Sequence, residues 1–175
     1  MTDTTKDAGS TRLETSDKSA QSACNGLLCG PMRGFSAVGL EQPKTPQNVG
    51  SALRACNCYG ASMLAVSGKR FKKASTDTFK TWRHMPVFEV DDLKLIIPYD
   101  CVPVAVDLIP GAQKLNNYKH PERAFYIFGP EDGTVSNKII SWCRDVVYVP
   151  TNRCMNLAAT VNVVLYDRMV KSHGM

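Results

Sequence analysis

Short apolar runs alternate with amphipathic stretches along the chain from Phe35 onward. A run such as Ala124–Gly129 contains almost only core-type residues, which is typical of a strand that is buried on both faces of a parallel sheet. Between Val49 and Cys56 the apolar residues recur three and four positions apart, which is the period of one helix face. The alternation of such segments predicts an α/β domain with a mostly parallel sheet and helices on both faces.

The same pattern predicts where each element begins and ends. Strands are expected at Phe35–Glu41, Ala61–Ser67, Pro86–Val90, Cys101–Leu108, Ala124–Gly129 and Asp145–Pro150. Helices are expected at Gln47–Tyr59, Phe79–Trp82, Asp91–Ile97, Val135–Ser141 and Met155–Lys171, with a polar loop over Pro110–Arg123.

Residues 1–33 differ from the rest of the chain. They are rich in Thr, Ser, Asp and Lys and poor in large apolar residues, which predicts a disordered N-terminal tail before a single domain over 34–175. This stretch has no apolar segment of the kind found in secretory signals, and no run in the chain is long enough to span a bilayer. We therefore expect a cytoplasmic protein without a membrane partner.

The chain is mildly basic, with a formal net charge of +5. Such a charge permits a polyanionic partner but does not require one. The seven cysteines include no C-x-x-C pair, so free and mostly buried thiols are favoured over a zinc site, and no metal is predicted.

Polar loops follow three of the predicted strands, after Glu41, at Gly129–Gly133 and at Pro150–Asn152. Because ligands of parallel sheets bind at the carboxyl ends of the strands, these loops are expected to converge on one site. Two other residues near the loops each have an ordinary structural interpretation. Asn48 could be no more than a helix N-cap, and Arg54 could be no more than a solvated helix arginine.

Glu131 also has two interpretations. It could be a turn acid near a helix N-terminus, where the dipole favours negative charge. It could instead accept hydrogen bonds that orient Asn48 or Arg54. The loop around it has neither a full G-x-G-x-x-G pattern nor the Lys-Ser/Thr of a P-loop, so a Rossmann site or an NTPase is not supported.

Taken together and in order, three stretches are specific. PQNVGSALR (46–54), FGPEDG (128–133) and VPTNRCMNL (149–157) resemble the three signature motifs of the SpoU family, part of the SPOUT class of S-adenosylmethionine-dependent RNA methyltransferases. The resemblance extends over about 35–171. The R-x-M-N-L wording of the third motif is most similar to the small tRNA 2′-O-methyltransferases that act on the ribose of the wobble nucleotide.

The resemblance implies a fold with a deep C-terminal trefoil knot and a homodimer with the first and last helices at the interface. It implies that Arg54 activates the ribose 2′-hydroxyl while Asn48, Glu131 and Asn156 hold the arginine and the substrate. The residues expected to bind S-adenosylmethionine are Ala105, Val106, Asp107, Gly129, Glu131, Gly133, Val149, Cys154, Met155 and Leu157.

Basic residues near these motifs are the candidates for RNA contact, because phosphates bind positive side chains. They are Lys44, Lys69, Arg70, Lys72, Lys73, Lys80, Arg83 and Arg153, followed by Lys119 and Arg123. Two alternatives stay open. One is a ribosomal RNA 2′-O-methyltransferase, and the other is a SPOUT-fold RNA-binding protein with little activity. Cys154 supports the RNA-binding alternative, because the family usually has serine at this position.

Overall fold

Seven parallel strands form the centre of the molecule. The computed structural model describes residues 34–68 and 80–172. Within these ranges the strands are β1 Phe35–Glu41, β2 Met63–Ser67, β3 Val87–Val90, β4 Val102–Val106, β5 Gln113–Lys114, β6 Arg123–Phe128 and β7 Asp145–Tyr148. They form one sheet in the order β3-β2-β1-β6-β4-β7-β5, and each hydrogen-bonded pair is parallel. The predicted α/β class and mostly parallel sheet are confirmed.

Three α-helices and three 3₁₀ turns connect the described strands. The helices are α1 Pro46–Cys58, α2 Asn137–Ile140 and α3 Leu157–Ser172, and the turns are Thr81–Arg83, Leu93–Ile96 and Leu115–Asn117. α1 begins at Pro46, whose fixed φ suits a first helical turn where an N–H would have no partner. It stops before Gly60, whose φ of 67° is readily adopted only by glycine.

Side chains of the inner strands alternate between two apolar layers. In β4, Val104 and Val106 belong to the layer that also contains the buried residues of α1 and α3. Ala105 points the other way, into a second layer that includes Leu93 and Ile139. The two long helices therefore share one face of the sheet, while α2 and the turn Leu93–Ile96 cover the other.

The structure corrects several predicted elements. The helix expected over Asp91–Ile97 is a 3₁₀ turn, in which the Asp92 side chain accepts a hydrogen bond from Lys94 N. The helix expected over Val135–Ser141 has only the single turn of α2, and the one expected over Phe79–Trp82 is the turn Thr81–Arg83. The predicted loop Pro110–Arg123 contains β5 and a 3₁₀ turn.

Several expectations lie outside the described residues. They are the tail over 1–33 and the basic residues Lys69, Arg70, Lys72 and Lys73. In the ranges that are described, no helix has both the length and the apolar composition needed to cross a bilayer.

Candidate active site

A cavity of about 340 Å³ opens at the carboxyl ends of β4, β6 and β7, where α3 begins. This volume falls in the range of small-molecule sites. Its walls are Val106, Asp107, Leu108, Phe128, Gly129, Pro130, Glu131, Asp132, Gly133, Tyr148, Val149, Thr151, Cys154, Met155, Leu157 and Thr160. Two of the three polar loops expected to converge here, Gly129–Gly133 and Pro150–Asn152, contribute to the lining, whereas the loop after Glu41 does not.

The turn after β6 forms one wall and requires glycine at its first position. A Cβ on Gly129 would lie 2.8 Å from Val135 N and 3.0 Å from Thr134 C, closer than real side chains approach a backbone. The chain closes back on itself through a hydrogen bond from Gly133 N to Pro130 O at 3.3 Å. Main-chain groups of this turn therefore line the cavity without a side chain at Gly129 to cover them.

The carboxylate of Glu131 reaches from this turn to the segment that leads into α1. It accepts hydrogen bonds from Lys44 N at 2.8 Å and from Thr45 N at 3.4 Å. It also accepts from Thr45 Oγ1 at 3.2 Å and from Asn48 Nδ2 at 2.5 Å. Glu131 thus joins the second motif to the first, and both sequence interpretations of it hold. It lies at a helix N-terminus, and it orients Asn48.

Asn48 carries the connection to the third motif. Its Oδ1 accepts a hydrogen bond from Asn156 Nδ2 at 3.0 Å. Asn156 Oδ1 in turn accepts from Ala158 N at 2.9 Å and Ala159 N at 3.3 Å, so Asn156 caps α3. Because an ionised Glu131 can only accept, the direction of every bond in this relay is fixed. The proposal that Asn48 caps its own helix is wrong, since the N-cap of α1 is Thr45.

The hydrogen bonds also change the acidity of Glu131. Partial burial alone would raise its pKa, but the bonds from Asn48 and from the main-chain N–H groups of Lys44 and Thr45 outweigh burial and lower the pKa. Glu131 is therefore ionised at neutral pH, as the relay requires.

A family model described as the SpoU rRNA Methylase family matches residues 36–166, well over half of the chain. The chain belongs to the SpoU rRNA methylase family. The resemblance inferred from the three motifs is therefore confirmed. None of the curated proteins compared with the chain matches it significantly.

Solved structures of SpoU methyltransferases share the fold of this chain. AviRb from Streptomyces viridochromogenes, solved with AdoMet, has a TM-score of 0.72 at 20% identity, and the match covers 81% of this chain and 59% of that one. This SpoU chain thus spans about three fifths of the AviRb chain.

Two further structures also match. A protein solved to explain 2-OH methylation of C/U34 on tRNA has a TM-score of 0.71 at 21% identity, over 81% of this chain and 99% of that one. A TrmH/SpoU tRNA modifying enzyme from A. aeolicus has a TM-score of 0.71 at 17% identity, and the match covers 82% of this chain and 79% of that one.

Most of the expected cofactor residues line the cavity of this SpoU chain. Val106, Asp107, Gly129, Glu131, Gly133, Val149, Cys154, Met155 and Leu157 all do so. Ala105 does not, because the alternation along β4 buries its side chain in the opposite apolar layer. The departure from the family pattern at Cys154 therefore lies on the cavity wall, where its thiol is exposed.

Three cavity residues lie outside the loops and motifs that the sequence analysis named. They are Leu108, Tyr148 and Thr160. Leu108 and Tyr148 lie at or just after a strand end, which is the positional signal that could have found them. Leu108 is 65% exposed, so it presents an apolar surface at the cavity mouth.

Arg54 lies on the exposed side of α1, away from the residues that this helix buries. It follows Asn48 by six residues, which places it about 9 Å farther along the helix axis. Its long side chain is therefore presented to solvent on a rigid helix that begins at the motif relay.

Among the described candidates for RNA contact Arg123 is half-buried, and the others are exposed but not all equally available. Lys44 forms an ion pair with Asp132 across the cavity rim. Arg83 stacks over the ring of Trp82, with its guanidinium carbon 5.1 Å from the ring centroid. Lys80 and Arg153 are exposed, and Arg153 lies beside the cavity residue Cys154.

The described cysteines are free. Cys56 and Cys101 are buried, Cys143 is half-buried, and Cys58 and Cys154 are exposed, so only some of these thiols are buried as expected. Within ranges 34–68 and 80–172, no three His, Cys, Asp or Glu residues come together in a way that could hold a metal ion.

Proposed function

We propose that this SpoU chain methylates a ribose 2′-hydroxyl of RNA with S-adenosylmethionine as donor, and that its substrate is the wobble nucleotide of a tRNA. The observation that carries the proposal is the relay Glu131–Asn48–Asn156 at the cavity. It joins the three SpoU motifs into one unit around a cavity of suitable volume.

The cavity fits S-adenosylmethionine in chemistry as well as in size. Val106, Phe128 and Leu157 offer an apolar surface to the adenine ring. The turn at 129–133 offers main-chain donors and acceptors, and the carboxylate of Glu131 suits a cationic ligand. When bound, S-adenosylmethionine supplies an electrophilic methyl group on a positively charged sulfonium.

Arg54 is proposed to act on the RNA. An arginine side chain stays protonated at neutral pH, so it is a poor general base. It can instead hold the phosphate beside the reacting ribose and so fix the 2′-hydroxyl toward the cavity. Positioning a nucleophile in this way can contribute several orders of magnitude to a rate. The relay residues Glu131, Asn48 and Asn156 hold together the three motif segments around the position proposed for the 2′-hydroxyl.

The choice of tRNA is supported by two of the structural matches. The protein solved for C/U34 methylation is covered over 99% of its length, so this chain accounts for nearly all of it. The A. aeolicus relative is described as a tRNA modifying enzyme. The family description names ribosomal RNA, so rRNA is the substrate to be compared with tRNA in any assay.

We include a homodimer in the proposal because α3 carries apolar residues on its outer face as well as on the face that packs against the sheet. The outer face carries Ala159, Val163, Tyr166 and Val170. Tyr166 is 53% exposed, and its ring contacts that of Tyr59 at 6.2 Å between centroids. A second copy of the chain would cover this apolar face. Sedimentation should show a dimer for the natural chain and a monomer for Tyr166→Lys. A dimer for both would contradict this interface.

The C-terminal knot is also part of the proposal. The segment between β7 and α3 shares the cavity with Asp107 and Gly129, so it passes the ends of two other strands. Mechanical stretching from both chain ends tests the knot. A knotted chain should stop short of the full length of about 3.3–3.6 Å per residue.

Replacing Arg54 tests the proposed chemistry. Arg54→Ala should lose at least about 100-fold in methylation rate, the lower range for a positioned catalytic group, while keeping its affinity for S-adenosylmethionine. Calorimetry measures the affinity, and transfer of labelled methyl to tRNA measures the rate. Arg144→Ala is the matched control, because Arg144 is exposed and pairs with Asp145 away from the cavity lining.

Two results would contradict the proposal. An undiminished rate in Arg54→Ala would remove Arg54 from the mechanism. A natural chain that binds RNA but does not bind S-adenosylmethionine at millimolar concentration would favour an RNA-binding protein that retains the fold.

A further inference from the structure

The loop 129–136 is held on two sides. From one side, Glu131 reaches out to the segment before α1. From the other side, two carboxylates at the ends of the strands that flank β6 reach in to the end of the same loop. These belong to Glu41, the last residue of β1, and to Asp107, the residue after β4.

Asp107 uses both of its carboxylate oxygens on main-chain N–H groups. Oδ2 accepts from Val135 N at 2.6 Å, and Oδ1 accepts from Leu108 N at 2.7 Å. Val135 N is also the atom that would lie 2.8 Å from a Cβ on Gly129. Asp107 therefore fixes the backbone against which Gly129 packs, and with it the wall of the cavity at that point.

Glu41 holds the next residue of the loop. Its Oε2 accepts a hydrogen bond from Ser136 N at 2.9 Å. Ser136 is the N-cap of α2, and its hydroxyl accepts from Ile139 N at 3.4 Å. Glu41 thus ties the start of α2 to the end of β1. Hydrogen bonds to an ionised carboxylate are about twice as strong as neutral ones, so these two contacts are strong anchors for a short loop.

We propose that Glu41 and Asp107 are positioning residues of the cofactor site, which act by holding the amides of Val135 and Ser136 rather than by touching the ligand. Together they set the height of the loop 129–136 above the sheet, and this height places Gly129 at the cavity and Glu131 within reach of Asn48. The inference rests on the proposed function in that the cavity takes S-adenosylmethionine. For Asp107 it replaces the direct cofactor contact that the family resemblance implied.

The geometry predicts different outcomes for the two conservative amide variants. Glu41 holds Ser136 N with one oxygen, and the single carbonyl oxygen of a glutamine can take that place. Asp107 serves two N–H groups, one with each oxygen. An asparagine keeps one acceptor and turns an NH₂ group toward the other N–H. Glu41→Gln should therefore preserve the loop, whereas Asp107→Asn should not.

Two measurements on the full chain test this. The first is hydrogen exchange of the Val135 and Ser136 amides without any ligand. Exchange should accelerate about tenfold or more in Glu41→Ala at Ser136 and in Asp107→Asn at Val135, and should stay unchanged in Glu41→Gln. Glu89→Ala, an exposed acidic residue of the edge strand β3, is the matched control. Thermal unfolding of each variant establishes that it is folded.

The second measurement is calorimetry with S-adenosylmethionine. Binding should weaken about tenfold, which is ~1.4 kcal/mol, in Glu41→Ala, Asp107→Ala and Asp107→Asn, and less than about twofold in Glu41→Gln. Equal weakening in Glu41→Ala and Glu41→Gln would point to charge alone and overturn the inference. So would weaker binding in Asp107→Ala with unchanged exchange at Val135, since Asp107 would then contact the ligand.

The two possible failures can be told apart. If the natural chain does not bind S-adenosylmethionine, the proposed function fails, while the exchange data still decide whether the two carboxylates hold the loop. If the natural chain binds and all four variants match it in affinity and exchange, only the positioning role fails.

Discussion

The two ends of α3 are both anchored by polar side chains, but in opposite surroundings. At its N-terminus lies the motif cluster, which consists of Asn48, Glu131 and Asn156. At its C-terminal end lies the helix-end cluster, which consists of His120, Tyr126, Asp167, Arg168 and Lys171. The first borders a cavity, and the second is packed against the amino ends of β1 and β6.

The helix-end cluster is organised around buried Arg168, which is 3% exposed. Its guanidinium donates to Pro121 O at 2.6 Å, to Glu122 O at 2.7 Å and to Phe35 O at 3.3 Å. It also donates to the hydroxyl of Tyr126 at 3.1 Å. Arg168 therefore fastens α3 to the first residues of β1 and to the segment entering β6.

His120 completes this cluster as a neutral ring. Its Nε2 lies 2.8 Å from Asp167 Oδ2, and its Nδ1 lies 2.6 Å from the Tyr126 hydroxyl. Because that hydroxyl already accepts from Arg168, it is best placed to donate to Nδ1, which leaves the proton of His120 on Nε2. Burial lowers the pKa of His120 despite the nearby Asp167, and burial raises the pKa of Tyr126 to about 12.

The difference shows how one helix can serve two purposes. The motif cluster uses two short amides at the starts of α1 and α3 and one carboxylate in a turn, so it can frame a site that a ligand enters. The helix-end cluster uses long side chains to reach main-chain carbonyls away from that cavity, so its role is to hold the helix. We therefore expect changes in the helix-end cluster to lower stability and changes in the motif cluster to lower binding.

The largest effect is expected for Arg168→Met. This variant keeps most of the side-chain volume but leaves several buried acceptors without a donor, and each such group costs about 1–3 kcal/mol. The free energy of unfolding should fall by about 3 kcal/mol in denaturant titrations. Arg123→Met, at a half-buried arginine with one bond of 3.3 Å to Tyr99 O, should lose less than about 1 kcal/mol. Equal losses would contradict the anchoring role.

The motif cluster should respond in the opposite way. Glu131→Ala removes the acceptor that joins the three motifs, so affinity for S-adenosylmethionine should fall about tenfold or more, while the free energy of unfolding falls by only about 1 kcal/mol. Glu131→Gln keeps one acceptor oxygen, so its affinity for S-adenosylmethionine should lie between that of the natural chain and that of Glu131→Ala. If Glu131→Ala loses stability as Arg168→Met does and binds as the natural chain does, the comparison fails.

A smaller expected effect is that the two clusters lose their contributions to stability in different pH ranges. The pKa of His120 is lowered in the folded chain, so the unfolded chain takes up the proton first. The stability from a neutral His120 is present above its ordinary pKa of about 6.5 and is lost as pH falls through the lowered value, by at most ~1.4 kcal/mol per unit. Glu131, whose pKa is lowered from 4.5, loses its contribution only in more acidic solution. Denaturant titrations at a series of pH values give the free energy of unfolding of the natural chain and of His120→Gln. Below about pH 6.5 this free energy should fall more steeply with decreasing pH in the natural chain than in His120→Gln. Parallel curves would show that His120 does not titrate as described.

Nine of the ten residues expected at the cofactor line one cavity, so the motifs predicted which residues come together, while their contact with the cofactor stays a prediction. Ala105 does not line the cavity, because strand alternation turns its side chain into the opposite apolar layer. The relay among Asn48, Glu131 and Asn156 could not be derived from spacing alone. It depends on which strand ends lie side by side, and only the sheet order gives that.

The helix-end cluster had a signal that the sequence analysis did not use. Arg168 shares the apolar face of its helix with Val161, Val164 and Leu165, and a buried arginine must find acceptors. Likewise, Leu115 and Tyr118 are buried within a segment predicted as a polar loop. Leu115 and Tyr118 are isolated apolar residues in polar sequence, and the residues they pack against come from distant parts of the chain.

The most direct test of the central claim is transfer of labelled methyl from S-adenosylmethionine to total tRNA and, separately, to ribosomal RNA, followed by mapping of the modified nucleotide. We expect label on the ribose 2′-oxygen of the wobble nucleotide of a tRNA, and labelling at least about 100-fold slower with Arg54→Ala. A natural chain that binds the cofactor but labels neither RNA would contradict it.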